Sequence, residues 1–412
     1  TSLDRSLRFW DLSEVVTPTL LEGHTDLINA MAWSPDSARI VTASRDGTAR
    51  VWRADGSGSS LVLRSTAQNV LGAQWSPDGT RLVTASRDGA GRIWRLDDPS
   101  APVVLGGHRT PVWGVDWNAS GNQIVTASTD GSMRVWASDG QLQAETKAVI
   151  QGGGAVQARF EPSGSRVLAS YESGEIYLWD AAQTIQPVLL GREPPRPVPP
   201  SFTGAHWSPD GSRVLAPFAD GTARIWNVRD PATALALRGH EAVLSFAMWS
   251  PDGTRIVTTS LDRTARVWSA DGLGQPVVLR GHGDRLTWAS ISPDGTRVAT
   301  ASVDTKVRVF HTDGSGQPFV LGGSSLGAEF VHWSPDGQHI AQGSDEKVAR
   351  VWPAVEPFVG PEDARLWRAT SYCIPVPLRR ELLQVTEADA QRDYAACERR
   401  VAEARATEPK PH

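Results

Sequence analysis

Residues 23–52 read GHTDLINAMAWSPDSARIVTASRDGTARVW, and this stretch returns along the chain with the same punctuation. Leu27 to Trp33 is an apolar run that reads as a first strand. Ser34-Pro35-Asp36 is a turn, Arg39 to Ala43 a second strand, Arg45-Asp46-Gly47 a second turn, and Thr48 to Trp52 a third strand. Pro presets φ for a turn and Asp tolerates turn geometry, while β-branched residues in alternation favour strands. Sister stretches put Gly after the turn Asp (Gly79, Gly211, Gly253, Gly295, Gly337), as a tight hairpin needs. Leu61-Val62-Leu63 supplies a fourth, outer strand.

An aromatic residue closes the third strand each time, at Trp10, Trp52, Trp94, Trp136, Trp179, Trp226, Trp268, Phe310 and Trp352. The successive spacings are 42, 42, 42, 43, 47, 42, 42 and 42 residues. A period of about 40–45 residues with four strands per unit reads as the blades of a β-propeller. One blade cannot bury both its faces, so blades stack around an axis. The fold class expected is all-β, a propeller of four-stranded antiparallel blades with a small α-helical C-terminal extension.

The first three strands occur eight times, ending at Trp52 through Trp352. After Trp352 no fourth strand follows, and an open ring would leave exposed edges. Thr17 to Leu21 (TPTLL) resembles a fourth strand without a blade of its own, so it is expected to complete the last blade and give eight blades. The rival is a seven-bladed ring, with residues up to about Trp52 belonging to another propeller. The divisions expected are 1–22, the trailing part of an upstream repeat supplying the closing strand; 23–353, the propeller; and 354–412, the helical extension. Thr1 to Trp10 matches the end of a repeat without its beginning, so further chain is expected upstream.

Charged residues make up 21% and hydrophobic residues 40%, ordinary for a globular domain. The net charge of −5 offers no global basic field to nucleic acid. No run approaches the roughly 18 apolar residues of a membrane helix, so neither a nucleic-acid nor a membrane partner is expected. The two cysteines, Cys373 and Cys397, lie outside the repeats, which suits a reducing, cytoplasmic setting.

The Gly-His opening, the Asp of the second turn and the Trp closing the third strand make the chain resemble the WD-repeat family. His24, Thr42, Asp46 and Trp52 form one full set; His108, Thr126, Asp130 and Trp136 a second; His240, Thr258, Asp262 and Trp268 a third. The resemblance implies that each set is a buried hydrogen-bonded chain that rigidifies its blade, provided every member is satisfied. His282, Thr300 and Asp304 end on Phe310, which has no N–H. Thr84, Asp88 and Trp94 lack the His. The Trp179 blade has Ala169 and Ser173, the Trp226 blade Ala216 and Asp220, and the last blade Gln342 and Glu346. These incomplete blades are expected to rest on apolar packing.

Recurring His, Ser/Thr and Asp invite a hydrolase reading, but a catalytic triad occurs once and needs an oxyanion hole, whereas this constellation repeats per blade. None of the nine His has a metal-ligand spacing, and no Gly-rich phosphate loop with its Lys is present. No catalytic residue, cofactor or metal is therefore expected.

Partners remain. The residue four before the end of the first strand (Asn29, Leu71, Trp113, Val156, Thr203, Ser245, Thr287, Glu329) and the one before the turn Asp (Arg45, Arg87, Thr129, Ala219, Leu261, Val303) point to one propeller face. The resemblance implies that this face binds proteins. Of 17 Trp, only Trp113, Trp288 and Trp367 fall outside the repeat positions. Trp and Arg dominate binding hot spots, so Trp113, Arg45, Arg87 and Arg109 form the candidate patch, with Trp288 offset by one residue. The alternative is that Trp113 fills the channel mouth. The proline-rich run Gly191 to Pro200 is either a docking ligand or a stiff spacer.

In the tail the apolar period changes to about 3.6. Pro361-Glu362-Asp363 and Leu378 to Val385 are expected to begin or form short helices. Thr386 is expected to cap a longer helix with Asp389 in the capping-box position. Cys373 and Cys397 fall on apolar stripes and are expected as buried free thiols. Leu366-Trp367-Arg368-Ala369-Thr370, Cys373, Arg380, Leu382-Leu383, Ala390 and Cys397 resemble the extension of large bacterial WD-repeat signalling proteins, in which kinase-like or nucleotide-switch domains precede the repeats. Three functions follow as expectations: a non-enzymatic scaffold or sensor binding a protein or peptide; the regulatory C-terminal part of a kinase or STAND-type NTPase; and, least favoured, a propeller hydrolase.

Overall fold

The computed structural model describes residues 17–65, 69–146, 154–164, 166–181, 187–192, 204–322, 324–344, 346–354 and 386–406. The run 193–200 and the tail segments around Pro361 and Leu378 lie outside them.

Eight four-stranded antiparallel sheets form eight blades. In the first, Ile28–Trp33, Arg39–Ser44, Thr48–Arg53 and Leu61–Arg64 lie side by side in chain order. The blade closing the ring is composite. Thr19–Leu21 pairs with Ala349–Pro353 in the register Thr19↔Val351, Leu20↔Arg350, Leu21↔Ala349. The seven-bladed alternative is thereby excluded. This three-residue strand is anchored by Leu21, 1% exposed, which packs with Ile28, Met31, Phe330 and Val351.

The core lies between blades. Val83, Ala85, Ile93 and Leu105 of the second blade pack on Val112, Val115, Trp117 and Ile124 of the third. Each such branched side chain contributes about 1.5–3 kcal/mol by leaving water. A polar clamp accompanies this packing. Arg39 donates to the Gly79 carbonyl (3.0 Å) in the next blade, with its guanidinium 4.8 Å from the Trp75 ring centre. Arg81 does the same with Gly121 (2.9 Å) and Trp117, and Arg213 with Gly253 (3.1 Å) and Trp249. Each Arg begins a second strand. Its own N–H is tied to the turn Ser five residues earlier, as in Arg39 N to Ser34 Oγ at 2.9 Å.

The first strand of every blade but the fifth carries a register shift around its second residue, as between Ile28 and Ala30 or Val112 and Gly114. A bulge re-aims the side chain it contains.

Helix α1 spans Glu387–Ala406 and belongs to a second compact unit. The Asp389 N–H donates to Thr386 Oγ1 (3.2 Å), and that hydroxyl donates to Asp389 Oδ2 (2.6 Å), so Thr386 caps the helix as read from sequence. Cys397 is buried and disulfide-bonded, which corrects the expectation of a free thiol there; Cys373 lies outside the described residues.

Candidate functional site

The repeated polar residues converge within each blade. His24 Nδ1 lies 2.8 Å from Asp46 Oδ2, His24 Nε2 2.7 Å from Thr42 Oγ1, and Trp52 Nε1 donates to Thr42 Oγ1 at 2.8 Å. His108, Thr126, Asp130 and Trp136 repeat this, with Ser132 Oγ 3.0 Å from His108 Nδ1 beside the longer 3.3 Å Asp130 contact. His240, Thr258, Asp262 and Trp268 form the third chain. Indole N–H only donates, so Thr Oγ1 accepts it and gives its own proton to His Nε2; Nδ1–H then faces the Asp. The histidines are thus neutral. Burial pushes all of them down, and His282 to about 4. Burial alone would raise Asp46, but hydrogen bonds from Thr48, His24 and the Thr25 N–H outweigh it and hold the carboxyl at about 2.

Where the set is incomplete, apolar packing is only part of the answer. The third-strand Arg two residues before the closing aromatic swings onto the turn acid. Arg92 pairs with Asp88 (2.6 Å), Arg224 with Asp220 (2.7 Å) and Arg350 with Glu346 (2.6 Å). Trp94 still donates to Thr84, and Trp352 donates to Gln342 Oε1 at 3.2 Å. In the Phe310 blade, His282 keeps Thr300 and Asp304, while Arg308 reaches both His282 Nδ1 (2.9 Å) and Asp304 (3.0 Å). In two of the intact sets this Arg bonds elsewhere: Arg50 to Ser60 and Arg134 to Glu145. The Trp179 blade comes nearest the apolar expectation, although its buried Glu175 is paired with Arg192 (3.0 Å) and bonded by Ser173. Ala169 and Tyr171 pack in its core, and the Trp179 N–H approaches the Tyr171 hydroxyl without hydrogen-bond geometry.

The candidate patch occupies three adjacent blades. Trp113 is the bulged residue of its strand and is 41% exposed, whereas Leu71, the corresponding residue of the second blade, is buried. Arg45 donates to Asn29 Oδ1 (3.3 Å), Asn29 donates to Asn69 Oδ1 (2.7 Å), and the Asn69 carbonyl accepts the Arg87 N–H (3.1 Å). The turn holding Arg87 abuts the next blade: a Cβ on Gly89 would stand 2.7 Å from the His108 carbonyl, hence the glycine at φ +81°. Arg109 follows His108, and its N–H is held by Asp130 (3.0 Å). Arg45, Arg87 and Arg109 are all exposed.

Trp288 is placed elsewhere. It lies past its strand's bulge, half-buried in the seventh blade, stacked on Phe246 at 3.8 Å and edge-on to His332 at 5.6 Å. It is four blades from Trp113 and does not join the Arg cluster. One register position of the first strands also collects Asp116, Arg159, His206 and His332; from sequence His206 and His332 read only as residues preceding a first-strand Trp, and the four were not brought together. Burial raises Asp116 to about 6 and lowers His206 to about 3 and His332 to about 4, with the Arg159 charge acting on all three. Among the described residues no cluster of His, Cys, Asp and Glu is placed to hold a metal ion, and no helix is long and apolar enough to cross a membrane.

Blades of four antiparallel strands, closed by a composite sheet and tied by repeated His-Thr-Asp-Trp chains, define a closed eight-bladed β-propeller. The chain belongs to the WD40 family: the family model "WD domain, G-beta repeat" matches residues 15–53, 59–95, 101–137, 200–227, 233–269, 275–311 and 320–353. The blade without a match is the one ending at Trp179, which has Ala169 and Ser173 at the Thr and turn-Asp positions. Among curated relatives, human coronin-7 is 42% identical over 53 residues, 13% of this chain and 6% of that protein. The small ribosomal subunit protein RACK1y of Oryza sativa subsp. japonica is 41% identical over 51 residues, 12% of this chain and 15% of that one. The chain therefore spans a small part of the curated relatives it matches. Among solved structures, the C-terminal WD40 domain of Sif2 superposes with TM-score 0.67 at 20% identity, covering 83% of this chain and 99% of that one. The designed Ika8 protein gives 0.64 at 22%, covering 81% and 98%. Both likenesses concern the fold.

Proposed function

We propose that this chain is a non-enzymatic protein-interaction scaffold or sensor that docks a protein or peptide on the face carrying Trp113, Arg45, Arg87 and Arg109. The observation that carries the reading is Trp113 itself: a large aromatic residue outside the repeat pattern, at the bulge of its strand and 41% exposed, with exposed arginines in the turns and loops of its own blade and the two before it. The polar sets support the same view. They are buried, mutually satisfied and repeated, which makes them architecture. The test is affinity capture with the intact chain and with a Trp113→Ala/Arg45→Glu/Arg87→Glu variant. Loss of specific partners from the variant supports the face, and identical partner sets overturn it.

A second reading is that the chain is the regulatory C-terminal part of a larger bacterial kinase or STAND-type NTPase. Its support is the separate, capped helix Glu387–Ala406. Sequencing the gene upstream of the Thr1 codon tests it: a kinase or nucleotide-switch domain supports it, and an initiator Met followed only by further repeats refutes it.

A further inference from the structure

Resting on the face proposed above, we infer that its partner is an acidic peptide segment with one apolar side chain that lies on Trp113. The argument is charge complementarity. Arg45, Arg87 and Arg109 are exposed, and none forms an ion pair among the described residues; the one side-chain bond of Arg45 goes to the neutral Asn29. The carboxylates of the same three turns are already engaged. Asp46 accepts from His24, Thr25 and Thr48. Asp88 is paired with Arg92, and Asp130 accepts from Arg109 N and Ser132. Asp26, on the first blade's loop, accepts the Leu27 N–H through Oδ1 and remains an exposed carboxylate in the same blade as Arg45. The three arginines are exposed while the Asp46 and Asp130 side chains are only 6% and 13% exposed, so guanidinium groups are what these turns present most openly, with Asp26 and the Arg92-paired Asp88 as the exposed acids beside them.

The asymmetry around the ring points the same way. The position before the turn acid is Arg in the first two blades and Thr129, Ala219, Leu261 and Val303 in the third, fifth, sixth and seventh. Across the ring, Phe246, Trp288 and His332 pack on one another, so their apolar surface is spent internally. Guanidinium groups suit carboxylates in planar, bidentate pairs. An indole flanked by them provides the apolar anchor that a hot spot needs. Rim charges of this kind steer association and make it salt-dependent.

The probe is a fluorescein-labelled peptide of one Leu flanked on each side by glutamates, compared with its lysine counterpart, titrated against the full chain by fluorescence anisotropy. The acidic peptide is expected to bind at least tenfold more tightly than the basic one and to weaken about tenfold on moving from low to high salt. Arg45→Gln/Arg87→Gln/Arg109→Gln is expected to weaken it more than tenfold, and Trp113→Ala alone by a comparable factor. All three arginines are exposed, so circular dichroism and melting of the variants should match the parent. Equal binding of the two peptides, undetectable binding of the acidic one, or unchanged binding by the arginine variant overturns the inference. If the acidic peptide fails while captured partners still depend on Trp113, the face stands and the acidic class falls. If captured partners are also indifferent to Trp113, the face itself is refuted.

Discussion

Removing one N–H from each of two equivalent indoles separates the polar chain from the packing it accompanies. Trp136 and Trp179 close the third strands of adjacent blades and are similarly buried, at 5% and 7% exposure. The Trp136 N–H donates to Thr126 Oγ1 at 2.9 Å, while the Trp179 N–H has no hydrogen bond and its blade has Ala169 at the position of Thr126. Trp136→Phe and Trp179→Phe lose the same ring volume, so the packing cost largely cancels in the comparison. Trp136→Phe also loses a buried hydrogen bond of about 1 kcal/mol, whereas Trp179→Phe relieves an unsatisfied donor that costs roughly 1–2 kcal/mol. The first variant should therefore be less stable than the second by about 2 kcal/mol, or roughly 4 °C in a large domain. The chain supplies its own control in Phe310, beside which His282 still holds Thr300 at 2.9 Å. Calorimetric melting of both variants measures the difference. Equal drops, or a larger drop for Trp179→Phe, would refute the assignment of stability to the polar chain.

Arg81→Met should cost about 1–3 kcal/mol, since it removes the bond to the Gly121 carbonyl and the contact over Trp117 while keeping much of the apolar stem. The exposed Arg95→Met should be close to neutral by the same denaturation assay. Leu21→Asp should cost upwards of ~3 kcal/mol, because it puts a charge into the closing blade; hydrogen exchange should rise first in Ala349–Pro353, and unchanged protection there would argue against closure by this strand. Stability should fall in acid in two windows. His282 is held at about 4 against an ordinary 6.5, so the unfolded chain takes up its proton first and stability is lost as pH falls from about 6.5 to about 4, by up to ~3 kcal/mol. Asp46 and Asp130, held at about 2, add a loss between about 3.8 and about 2. Urea titrations at several pH values check this, and stability unchanged between about pH 7 and 4.5 would contradict it.

The fold was legible because propeller blades write their hydrophobic period, turn glycines and closing Trp directly into local sequence. TPTLL could be assigned as the closing strand because every other fourth strand had an owner. Two devices were not legible, because each depends on which way a long side chain turns. Arg39 and Arg81 look like solvated strand ends until the next blade puts a carbonyl and an indole beneath them. Arg92, Arg224 and Arg350 are identical in sequence position to Arg50 and Arg134, and pair with the turn acid where the His is missing. Their signal was the covariation, within one chain, of a lost His with a retained acid. Trp288 was added to Trp113 as a Trp outside the repeat positions despite its one-residue offset, and that offset decides its place: Trp113 lies within the first-strand bulge, whereas Trp288 follows its strand's bulge and packs on Phe246 and His332.

The most direct test of the functional account is hydrogen–deuterium exchange of the full chain with and without a captured partner. The account gives added protection in Asn29–Arg45, Arg87–Gly89 and Arg109–Gly114 of three adjacent blades. Protection confined to the outer strands, such as Val103–Leu105 or Val188–Arg192, with none around Trp113, would contradict it.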